Sequence, residues 1–109
     1  MQFEKGIKSI LANDIEYVAG GVASRQIIKD SGGSITLFSF SKGEGLSEHT
    51  APFDAFVHIL EGVAEIVIDA ESNILRAGEM IIMPAEVPHA LQANTDFKML
   101  LVMIKPKKE

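Results

Sequence analysis

Short apolar runs broken by turn residues constrain this chain more than any other feature. Between Val22 and Ile104 it reads as Val22–Asp30, Ile35–Ser41, Ala55–Leu60, Val63–Ile68, Ile74-Leu75, Met80–Met83, His89–Ala93 and Phe97–Ile104. Between these runs lie Ser31-Gly32-Gly33, Lys42–Gly45, Glu61-Gly62, Asp69–Asn73 and Ala77-Gly78-Glu79. Short strands at this spacing, with Gly, Asn, Asp and Pro between them, predict an all-β sandwich or closed barrel. Ile35–Ser41 alternates, with Phe38 and Phe40 on one side and Ile35 and Leu37 on the other. Ala55–Leu60 and Phe97–Ile104 are apolar at both parities. A strand apolar on both faces is covered on both faces. With 109 residues there is room for one core only. The second cover is therefore expected from another subunit, which makes a homodimer the expected assembly.

Composition narrows the class of partner. The chain carries 10 basic and 15 acidic residues, a net charge of −5. It has no basic stripe interleaved with aromatics, so a nucleic-acid partner is not expected. No apolar run approaches membrane-spanning length. The first ten residues, MQFEKGIKSI, lack the apolar centre of a signal peptide. There are no cysteines, which removes disulfides and thiolate chemistry. These features predict a soluble, cytoplasmic protein. No phosphate loop and no nucleophile elbow is present. The expected organisation is one domain: an arm over residues 1–21, a barrel core over 22–104 and a solvated tail over 105–109. Within the arm, Ile7, Ile10, Leu11 and Ile15 recur at roughly helical spacing, so a short helix or turn is expected near Ser9–Asn13.

Two segments carry histidines in matching settings. Gly43–Gly62 opens with a glycine turn, places His49 at the start of a strand, passes Pro52 and runs through Ala55–Leu60. Gly78–His89 is a glycine turn, a short apolar strand, the prolines Pro84 and Pro88, and then His89. Read as facing walls of one barrel, they point His49 and His89 into the same cavity.

Gly43-x5-His49 with Gly62, followed by Gly78-x5-Pro84-x4-His89, resembles the two motifs of the cupin superfamily, and most closely its small single-domain conserved-barrel (type-2) members. The resemblance covers Gly43 to Ala93. It implies a double-stranded β-helix, or jelly roll, with a ligand or metal site inside and commonly a homodimeric state. The motif departs from the family pattern at Ala51, where a second histidine is usual, and at Ala55, where a glutamate is usual. It also departs at Glu86, usually glycine, and at Ala93, usually asparagine. Of the four usual metal ligands, His49 and His89 survive.

Two chemistries follow. In the first, His49 and His89 are polar anchors in an apolar cavity that takes a small, mostly apolar molecule. Neutral imidazoles offer a donor and an acceptor near physiological pH and can hold a carboxylate, hydroxyl or carbonyl. Val57 and Ile59 face inward in this register, and Gln92 is a further lining candidate. His58 then faces out, as a packing or interface residue. In the second, a cupin-type enzyme such as a dioxygenase, isomerase or lyase holds a divalent zinc, iron, manganese or nickel ion. That needs about three protein ligands. A bulge before Ala55 would swing Asp54 inward to join His49 and His89, with Gln92 and Glu48 as weaker alternatives; the alternative for Asp54 is a cap on the turn after Pro52-Phe53. Strict alternation with Asp54 inward would bring Phe56 and His58 inside as well. Met80, Met83, Met99 and Met103 read as core filler. Pro84 and Pro88 shape the loop that delivers His89, and Glu86 between them reads as a solvated charge at the barrel mouth. Arg25 is a candidate partner for an acid.

Overall fold

The alternation of Phe38 and Phe40 against Ile35 and Leu37 becomes the inside and outside of a two-sheet barrel. The computed structural model describes residues 3–106; the end of the tail, Lys107–Glu109, lies outside the described residues. After a 3-10 turn at Leu11–Asn13 come nine strands: β1 (Val22–Asp30), β2 (Gly33–Phe40), β3 (Gly45–His49), β4 (Asp54–Glu61), β5 (Val63–Ile68), β6 (Glu71–Arg76), β7 (Met80–Met83), β8 (His89–Ala93) and β9 (Phe97–Ile104). All pairings are antiparallel. The larger sheet runs β1-β2-β9-β4-β7 and the smaller β3-β8-β5-β6. The architecture is an all-β jelly roll.

Inward side chains of both sheets meet in one core. Phe40 and Phe97 stack at 4.6 Å between ring centroids. Val57, Ile59, Ile66 and Met99 pack with them, essentially without solvent contact. Burial of such side chains contributes roughly 1.5–3 kcal/mol each. Gly62 turns the chain between the sheets at φ +83°. A Cβ there would lie 2.1 Å from the carbonyl oxygen of Asp96, so only glycine fits.

Two expectations are corrected. His49 ends a strand instead of starting one: β3 begins at Gly45, the last residue of the expected Lys42–Gly45 turn, and runs to His49. The segment expected as a long turn with a two-residue strand is a six-residue strand, β6, after a tight turn at Asp69-Ala70.

The arm lies on the outer face of the larger sheet. Ser39 donates to the carbonyl of Glu16 at 2.8 Å. The Arg25 guanidinium donates to the carbonyl of Asp14, and Lys98 Nζ to that of Ala12 at 2.6 Å. Ile15, buried, sits between the first two of these anchors, and Leu37, an outward residue opposite Arg25, is buried as well. Among the described residues no helix is long and apolar enough to cross a membrane.

Candidate functional site

His49 and His89 meet because of one irregularity. β3 pairs with β8 through Leu46 opposite Leu91 and His49 opposite His89. Leu46 and His49 are three residues apart, whereas their partners are two apart. Strict alternation would send the two β3 side chains to opposite faces. The bulge over Ser47-Glu48 absorbs the extra residue and returns His49 to the inner face. On its other side His89 pairs with Ile68 of β5.

The two imidazoles stand edge to face, with ring centroids 4.4 Å apart. His89 is buried, 5 % exposed, while His49 faces solvent at the mouth. Each ring is held the same way. Nδ1 of His49 lies 2.7 Å from the carbonyl oxygen of Ser47, and Nδ1 of His89 lies 3.1 Å from that of Val87. A carbonyl oxygen only accepts, so both Nδ1 atoms carry the proton. Each neutral ring then presents Nε2 as a lone-pair acceptor.

Toward the same end of the larger sheet lies a cavity of about 400 Å³, lined by Gln26, Lys29, Asp30, Ser34, Thr36, Phe53, Met103 and Lys105 among others, but by neither histidine. Register places Gln26, Ser34 and Thr36 on the same face of the larger sheet as Phe38, Phe40 and Met103, the barrel interior. Phe53 belongs to the link that leads from His49 into β4. β3 follows β2 after only Ser41–Glu44, so it runs back beside β2 and brings His49 to the end where Ser34 lies. Volumes of this order suit small-molecule ligands. Of these lining residues the sequence singles out only Met103, and reads it first as core filler. The signal was present: Ser34 and Thr36 share parity with Phe38 and Phe40, which makes them polar groups at inward positions.

The remaining candidates separate. Val57 and Ile59 do point inward, but into the packed core instead of an open cavity. Gln92 is on the outer face of the smaller sheet, where its side-chain amide donates to the carbonyl of Gly43 at 3.1 Å. Asp54 does not turn inward: β4 pairs with β9 without a break from Asp54 to Ile59. Its Oδ1 accepts the backbone N–H of Ala85 at 2.9 Å, which ties the β7–β8 loop to the start of β4. His58 faces out with Phe56 and Leu60. Met83 and Met99 are core residues, whereas Met80 is exposed on the outer face and Met103 lines the cavity. Arg25 also faces out, under the arm, with the Phe3 ring 4.4 Å from its guanidinium carbon. Glu86 and Glu48 are exposed, and among the described residues no three His, Cys, Asp or Glu side chains are grouped to hold a metal. Two imidazoles without a third donor do not fit a catalytic zinc, iron, manganese or nickel centre, which takes three protein ligands.

Comparison with known proteins places this geometry. Residues 36–105 match the cupin domain family. A conserved protein of unknown function from Streptococcus pyogenes is 38 % identical, with 99 % of this chain and 95 % of that one covered and a TM-score of 0.92. A cupin superfamily protein from Desulfitobacterium hafniense is 29 % identical over 97 % of each chain, with a TM-score of 0.90. A cupin 2 conserved barrel domain protein from Leptotrichia buccalis is 37 % identical over 86 % of this chain and 46 % of its own, with a TM-score of 0.84. No curated protein matches. With the family match spanning most of the barrel and the histidine-bearing strands in place, the chain belongs to the cupin family.

Proposed function

We propose that this protein binds a small molecule at the histidine end of the barrel. His49 and His89 hold its polar group, and the cavity beside Phe53 and Met103 takes the apolar remainder. One observation carries the reading: two imidazoles 4.4 Å apart, each with Nδ1 engaged by a backbone carbonyl. Neutral rings so fixed offer two acceptors, which select a hydrogen-bond donor, a hydroxyl or an amine. Protonation of one ring would turn it into a charged donor and admit a carboxylate instead. The cavity's own polar groups add neutral partners, Gln26, Ser34 and Thr36, and charged ones, Lys29, Asp30 and Lys105.

The test is ligand-observed NMR with a fragment set of small alcohols, amines and carboxylic acids. Near pH 8 alcohols and amines are expected to bind in preference to acids. The His49→Ala/His89→Ala double variant should lose that binding while keeping its β-sheet circular dichroism. Fragments that bind the folded double variant as well as the native chain would overturn the assignment.

A further inference from the structure

The inner face of the larger sheet changes character along its strands. Near Gly62 it consists of Phe40, Phe97 and Met99, all buried. Toward the other end Gln26 of β1 stands opposite Thr36 of β2, and the next inward pair is Lys29 opposite Ser34. Ser34 is in turn opposite Met103 of β9. Lys105 follows Met103 by two positions and lines the same cavity; its backbone N–H donates to the carbonyl of Gly32 at 3.2 Å. The wall thus passes from aromatic rings to hydroxyl and amide groups and then to ammoniums. These polar groups have no partners within the protein. Among the described residues the side chains of Gln26, Ser34 and Thr36 make no hydrogen bond to the chain, and neither Lys29 nor Lys105 has a carboxylate within ion-pair distance. Asp30, the other charged lining residue, has Oδ1 occupied by the N–H of Gly32 at 2.8 Å. Lys29 and Lys105 less Asp30 leave one positive charge at the cavity, in a chain whose net charge is −5.

We infer that the small molecule taken here is an organic acid whose carboxylate is held by Lys29 and Lys105, with a hydroxyl or amine at its other end for the histidines. The inference rests on the reading of the histidine site above and adds the charge of its ligand. Three features favour an acid. An ammonium only donates, and hydroxyl and amide groups donate as well, so this wall suits a group that accepts several hydrogen bonds. A wholly apolar occupant would displace water from these donors without replacing its hydrogen bonds. A negatively charged chain admits an anion where cations are gathered, and this wall gathers two. The single excess charge matches a carboxylate; a phosphate monoester carries nearly twice that charge at neutral pH. Met103 and Phe53 supply the apolar stretch between the two ends, since Phe53 lines the cavity and lies on the link that follows His49.

Titration calorimetry of the full chain near pH 8 tests this with the ω-hydroxy acids from butanoate to octanoate and the matching alkanols, alkanoates, diols and alkyl phosphates. The best hydroxy acid should bind about tenfold or more tightly than the alkanol, alkanoate or diol of its length. Added salt should narrow that gap, because both lysines are exposed. The Lys29→Gln/Lys105→Gln double variant should bring the hydroxy acid down to the level of the diol, with alkanol binding and β-sheet circular dichroism unchanged. A hydroxy acid no tighter than the diol, in a chain whose alkanol binding still needs the histidines, would overturn the inference and leave the histidine reading standing. So would a folded lysine variant that binds the hydroxy acid as well as the native chain, or alkyl phosphates that bind more tightly than the alkanoates. Alkanoate binding that needs the lysines, beside alkanol binding indifferent to the histidines, would sustain the acid end and sink the histidine reading instead.

Discussion

Each imidazole at the barrel mouth is set by the carbonyl two residues before it, Ser47 for His49 and Val87 for His89. The same local device, used on two strands, gives both rings the same tautomer and leaves the same nitrogen for a ligand. At the opposite end a single phenol does comparable work for stability. Tyr17 donates to Glu61 Oε2 at 2.6 Å, and Lys98 Nζ lies 4.9 Å from its ring centroid and 3.8 Å from the same carboxylate oxygen. Burial, then the hydrogen bond to Glu61 and the charges of Glu61 and Asp96, push the phenol well above its usual range. In the unfolded chain the phenol ionises near 10. The folded state therefore keeps a proton that the unfolded state releases. This contribution to stability is complete below about pH 10 and is lost as pH rises further. The chain has one tyrosine and no tryptophan, so phenolate absorbance reports Tyr17 alone. The absorbance should rise only well above the usual range of a phenol, together with loss of the β-sheet circular dichroism. Glu61→Gln should bring the transition lower. An ordinary phenol titration in a chain that stays folded would show that the arm is not held this way.

At the scale of elements, the site is built by two irregular segments, the β3 bulge and the Pro84–Pro88 loop. The link after β3 is stitched to that loop: the Glu86 N–H donates to the carbonyl of Ala51 at 2.8 Å. Glu86 makes this bond from φ +65°, a conformation glycine adopts without strain. Its side chain is exposed. Glu86→Gly should therefore stabilise the protein by about 0.5–1 kcal/mol, with the backbone bond retained. Denaturant unfolding checks this, and an unchanged or lower midpoint would mean that the carboxylate has a role of its own. Glu86 also shows where sequence reading stopped. It was recognisable as a departure from a glycine position, but not as a strained turn. The strands β1, β5, β7, β8 and β9 were legible to the residue, because apolar runs bounded by Gly, Pro and Asp leave little freedom of register. The outward position of His58 followed from Gly62 fixing the end of β4. β3 was not legible as a strand, since Gly-Leu-Ser-Glu-His has neither the alternation nor the β-branched residues of one. Its bulge is visible only against its partner strand. The inward reading of Asp54 fails for a related reason: the Ala85 N–H that engages its carboxylate lies 31 positions away in sequence.

The whole molecule divides its tasks between two ends and two faces. One end carries the histidines and the cavity, and nearer the other the Tyr17–Glu61–Lys98 cluster ties the arm to the larger sheet. One outer face is polar and the other is largely apolar, with the rows Ile82, Phe56, Val102, Ile35 and Met80, His58, Leu100, Leu37 lying across it. At their centre sits His58. The side chains around it are Phe56, at 6.3 Å between ring centroids, and Leu60 on its own strand, Met80 on β7 and Leu100 on β9. None is charged. The charged groups nearest along these elements are Asp54 and Glu61 on β4, Glu79 before β7 and Lys98 on β9. Lys98 is under the arm, Asp54 is bonded to Ala85, and Glu79 Oε1 accepts the N–H of Arg76.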